Sequence, residues 1–100
     1  MVPVRSMNAR ELPVPDLDYH TLRDIQLFVR ACRSAINLSE AGSPEVFDAV
    51  VRLERVRKET IANLKKSISD KSILRKTVRW INSEFNACIE NVKSNFLLSN

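Results

Sequence analysis

Three stretches of this chain carry apolar residues at helical spacing. In the first, Leu22, Ile25, Val29, Cys32 and Ile36 recur in steps of three and four. That spacing places them on one side of a helix. Leu27 and Phe28 widen the stripe, and Arg23, Arg30 and Arg33 fall on other sides. The pattern predicts a helix from about Asp16 to Glu40, with Asp16 or Asp18 as N-cap. Gly42 is the only glycine. It sits where a helix C-terminus favours a left-handed residue.

A second helix has a clear start signal: Ser43 as N-cap, Pro44 in the first helical position, Glu45 in the first turn. Its predicted apolar face is Val46, Val50, Leu53, Val56, Ile61, Leu64 and Ile68, and it should run to about Ser67. Arg57 falls close to this stripe, a position expected at a subunit boundary. After a break at Ser69–Asp70, with Asp70 as cap, a third helix shows Leu74, Val78, Ile81, Phe85, Cys88 and Val92. Alternating steps of four and three make this a heptad seam, which Phe96 extends. Trp80 lies off the seam and is expected on a second contact surface.

Pro3, Pro13 and Pro15 disfavour helix before Asp16. The expected organisation is an extended arm over 1–15 and a single helical domain over 16–100. A chain with one Gly and four Pro is poor material for a strand-rich sandwich or barrel. The expected fold class is all-α, with three amphipathic helices. Apolar stripes this long on 100 residues point to association. The favoured architecture is a long antiparallel helical hairpin that dimerises into a four-helix-type bundle. A monomeric three-helix bundle is the alternative.

Charge sharpens the picture. The net charge is +4 and the pI about 9.4. From Arg52 to Arg79 ten basic residues face only Glu54, Glu59 and Asp70, a local charge of +7. The remainder carries −3. Such localisation suits an anionic partner. Within the segment, Arg52, Arg55, Lys58 and Lys65 lie along one broad side of the second helix, with Lys66 beside them. On the third, Lys71, Arg75 and Arg79 stand at i, i+4 and i+8 and share a face. They occupy the N-terminal half of that helix, where the macrodipole disfavours cations. A solvated surface tuned for helix stability would carry acids there.

Enzyme chemistry finds little support. His20 is the only histidine and sits near a helix start. Cys32 and Cys88 lie far apart within apolar patterns, without zinc-ligand spacing. They read as buried free thiols, with a disulfide as the alternative. A phosphate-cradling loop needs several glycines. No catalytic residue, cofactor or metal is therefore expected. The N-terminus shows no secretory signal and no stretch approaches a membrane span, so a reducing, cytoplasmic setting is the default expectation.

Rows of Lys and Arg on rigid helices neutralise phosphates and read no sequence. Six aromatic residues in all, with only Tyr19 and Trp80 expected outside, make a poor platform for stacked single strands. No glycine turn with a short recognition helix is visible, which disfavours a helix-turn-helix reader. Double-stranded RNA, read by shape across its minor groove, fits a broad basic helical face best. A helical adapter that captures a partner protein through the heptad seam is the competing reading. Attachment to anionic lipid is a third.

The run from Ser43 to Trp80 resembles the core of the nodavirus RNA-silencing suppressors. The shared features are the Ser43–Pro44 start, a long basic helix, its Ser67–Ile68 end, Lys71 in the connection, and the aliphatic residues Ile73, Leu74 and Val78 that follow. The resemblance implies antiparallel hairpins paired into a four-helix bundle. It also implies duplex RNA lying across the paired long helices, shielded from dicing enzymes in a host cytoplasm. Arg55, Lys58 and Lys65 match the family's basic positions, with Arg52 as a further candidate. Ser72 stands where members carry proline, and the third helix is longer and more regularly apolar than theirs.

Overall fold

The structure, a computed structural model, describes residues 17–98. The arm and the candidate cap Asp16 lie outside the described residues. Three helices account for almost all of the rest: α1 over Tyr19–Glu40, α2 over Val46–Ser67 and α3 over Lys71–Leu98. The all-α expectation holds. Every pair of helices is in contact, so α1 closes the α2–α3 hairpin within one chain. Among the described residues, no helix is long and apolar enough to cross a membrane.

Local signals set the helix ends. Asp18 Oδ1 accepts the Thr21 backbone N–H at 2.8 Å and caps α1. At the other end, Gly42 has φ +68°. Gly42 N–H donates to Ser39 O at 3.2 Å and Ser43 N–H to Leu38 O at 3.0 Å. This bond pair is a Schellman motif. The start of α2 differs from expectation. Ser43 Oγ accepts the Glu45 N–H at 3.2 Å, but the next bonds, Val46 N–H to Ser43 O and Phe47 N–H to Pro44 O, span three residues. A tight turn therefore precedes the helix, which begins at Val46, three residues beyond Ser43. Asp70 Oδ1 accepts from Ser72 and Ile73 N–H at 2.8 and 3.2 Å and caps α3 as expected.

The helices run up, down and up. Asn63 near the end of α2 donates to Asp24 near the start of α1, so those two are antiparallel. Arg57 bonds Asn82, and Phe47 meets Phe96, which makes α2 and α3 antiparallel. Asn95 donates to Ser39 Oγ at 2.9 Å across the parallel α1–α3 pair.

The core is Ile25, Phe28, Ala35, Val46, Leu53, Leu64, Ile81, Cys88 and Val92, with Thr21, Ser39, Thr60 and Thr77 buried among them. On α1 the buried line is displaced from the predicted one. Leu22, Val29 and Ile36 are only half-buried, while Thr21, Phe28, Ala35 and Ser39 lie inside. The cause is that α1 has two neighbours, and its buried centre faces the gap between them. The α3 seam is occupied inside the chain: Ile81, Cys88 and Val92 are buried, and Leu74, Val78 and Phe85 pack against the core. Trp80 is half-buried on that core too, which leaves less of it outside than expected.

Candidate nucleic-acid interface

All eight predicted cations, Arg52, Arg55, Lys58, Lys65, Lys66, Lys71, Arg75 and Arg79, are exposed. The contacts between α2 and α3 decide which of them share a surface. Asn82 and Phe85 mark the side of α3 that meets α2, since both touch Arg57. At ~100° per residue, Arg75 and Lys71 lie about 20° from Asn82 on the α3 wheel. Both therefore lean towards α2. On α2, Glu54 is bound by Arg57 and lies 3.8 Å from Lys58. Lys58 thus stands on the margin next to α3, and Lys65, seven residues on, shares its strip. Lys58, Lys65, Lys71 and Arg75 flank one outer groove of the hairpin. Arg55 and Lys66 form a strip farther out on α2, and Arg79 does so on α3.

Arg52 stands apart. It lies about 140° around α2 from Lys65. It lines the groove between α1 and α2, together with Asp24, Asp48 and Glu59. Four carboxylates and two guanidinium groups line that groove, so it is an acidic surface.

The acids of the basic segment are turned away or engaged. Glu59 lines the α1–α2 groove. Asp70 caps α3. Glu54 accepts from Arg57 at 2.9 Å. Among the described residues, no carboxylate lies within 4 Å of any of the eight cations except Lys58. The first turn of α3 holds no acid either, so Lys71 and Arg75 add to the positive end of the helix dipole. Lys65 and Lys66, in the last turn of α2, complement its dipole and have a structural role as well.

Arg57 belongs to the fold. Its NH1 donates to Asn82 at 3.0 Å, its NH2 to Glu54 at 2.9 Å, and its guanidinium carbon lies 4.5 Å from the Phe85 ring centre. These contacts make Arg57 a clamp within the chain. Lys93 is the cation missed by confining attention to residues 52–79. It lies eighteen residues, five whole turns, beyond Arg75 and is exposed on the same strip of α3. That spacing is visible in the sequence.

The exposed aromatic rings lie elsewhere. Tyr19 stands at the start of α1 beside His20, and Phe47 and Phe96 pair at the end of the hairpin remote from the α2–α3 turn. Among the described residues no three His, Cys, Asp or Glu side chains converge as metal ligands. Compared with protein-family models, with curated proteins and with solved structures, the chain matches none of them.

Proposed function

We propose that this protein binds double-stranded RNA without sequence preference, through the outer face of the α2–α3 hairpin. One observation carries the reading: Lys58, Lys65, Lys71 and Arg75 flank one groove while the acids of the same segment are engaged or turned away. Phosphates gain most from such an array, because each neutralised phosphate releases condensed counterions. The remoteness of the exposed rings favours a duplex over stacked single strands. Suppression of host RNA silencing is the role this binding would serve if the resemblance of Ser43–Trp80 reflects kinship. A homodimer fits the reading. Phe47, Val51, Phe96 and Leu97 leave apolar surface outside at one end of the hairpin, and such patches commonly mark association sites.

The test is a titration against a ~25-base-pair RNA duplex, the matching DNA duplex and the single strand, at two salt concentrations; that length exceeds the ~16 base pairs spanned by double-stranded-RNA-binding domains of other folds. The RNA duplex should bind tightest. About five phosphate contacts would weaken it roughly 10²–10³-fold between 50 and 200 mM salt. The double variant Lys65→Glu/Arg75→Glu should lose this binding and keep its helix content. Full affinity in that folded variant, or a flat salt response, refutes the proposal.

A further inference from the structure

The parallel contact between α1 and α3 brings together the only two cysteines, 56 residues apart in sequence. The Cys88 S–H donates to the Cys32 carbonyl oxygen at 3.4 Å, which sets the two residues side by side. Both are free. They line a cleft of about 250 Å³ between the helices, in which Cys32 is half-buried and Cys88 is buried. Oxidant can enter from the cleft, while the surrounding core (Phe28, Ala35 and Ile81) holds the two helices in register.

We propose that Cys32 and Cys88 are a modification site: a reversible internal disulfide, formed by hydroperoxides, that staples α1 to α3. One sulfur, as thiolate, attacks the peroxide and becomes a sulfenic acid, releasing an alcohol or water. The second sulfur attacks the first, the S–O bond breaks, and the departing hydroxide leaves as water with the second thiol's proton. In sum, two thiols and one hydroperoxide give one disulfide, one alcohol and one water. A low-molecular-weight thiol reverses the step by exchange.

The electrostatics of the pair support this chemistry. Hydrogen bonding from the neighbouring Cys32 thiol draws the Cys88 ionisation below the usual thiol value. The proton left on Cys32 is held above it, first by the same hydrogen bond and then by burial. One thiolate is thereby favoured and a second opposed, which suits attack by one sulfur and resolution by the other. Glu84 on the same cleft opposes ionisation of both. The staple lies about 140° around α3 from Arg75. It leaves the cation face untouched and does not depend on RNA binding.

The experiment exposes the folded full-length protein to hydrogen peroxide and follows intact mass, free thiols and a non-reduced peptide map. The expected product is a monomer lighter by two hydrogen atoms, with both thiols lost together and Cys32 joined to Cys88. It should unfold at higher urea concentration than the reduced form and revert with thiol. Cys32→Ser and Cys88→Ser, each treated alike, should give no internal crosslink. Covalent dimers in place of the internal link, stepwise gain of oxygen, or crosslinking only in urea would overturn the proposal. So would persistence of both thiols under peroxide that consumes glutathione.

Discussion

Arg57 shows how one side chain can join two helices. It sits next to an apolar stripe, where a straight-chain cation lays its stem on the core and keeps its head at the edge. The planar head reaches Asn82 and Glu54 at once and stacks on Phe85. Lysine has the charge without the fork. Arg57→Lys is expected to lose about 1–2 kcal/mol of stability in urea unfolding, with the salt dependence of the proposed RNA binding unchanged. Asp18 makes a second prediction at this scale. The Thr21 N–H holds its carboxyl below the ordinary value of 3.8. A group depressed on folding stabilises fully above its unfolded value, and that contribution is lost as pH falls through its folded value. The first turn of α1 should therefore fray below about pH 3.8. Amide exchange at Thr21 reads this directly; Asp18→Asn should remove the pH dependence while keeping a cap.

Whole helices are delimited by their caps and biased by their dipoles. Gly42 closes α1 at φ +68°, and nothing lies within 4 Å of a Cβ added there. Gly42→Ala should therefore destabilise through backbone conformation alone, by roughly 1–2 kcal/mol. Asn at this position should recover part of the loss, as thermal unfolding would show. The start of α3 makes a sharper test of function. Lys71 and Arg75 oppose the helix dipole, so Lys71→Glu should stabilise the fold by about 0.3–1 kcal/mol. If the face binds phosphate, the same change should weaken RNA affinity. Opposite movements of melting temperature and affinity identify a surface kept for binding. A gain in both, or no change in affinity, points to a surface that is merely solvated.

The molecule as a whole is a three-helix unit with 46 × 30 × 19 Å extents, along which the α2–α3 hairpin forms one long face. The seam on α3 is filled by α1 and α2, so the proposed dimer would use other surfaces. Phe47, Val51, Phe96 and Leu97 remain 42–73% exposed. Sedimentation equilibrium should show a dimer that becomes monomeric in Phe47→Asp with helix content intact. A wild-type monomer at tens of micromolar would end the dimer proposal and leave RNA binding to be judged on the single chain.

Caps and helix existence were legible in the residues because they are local: Asp18, Gly42 and Asp70 act within three or four positions of themselves. The α2 start lies later than its sequence signal because Ser43 and Pro44 suit a tight turn as well as a first helical turn, and the choice depends on where Val46 is buried. Periodicity finds one apolar face per helix. A helix with two neighbours buries the line between them, and on α1 that line runs through Thr21, Ala35 and Ser39, whose small size suits close packing; the hydroxyls of Thr21 and Ser39 hide those two from a hydrophobic pattern. The same distinction governs function. Charge content follows from composition, so a basic middle segment needed no fold to be seen. Which cations share a surface depends on how α2 is rotated against α1 and α3. That rotation sends Arg52 to the acidic groove, leaves Lys58, Lys65, Lys71 and Arg75 together, and brings Cys32 within reach of Cys88.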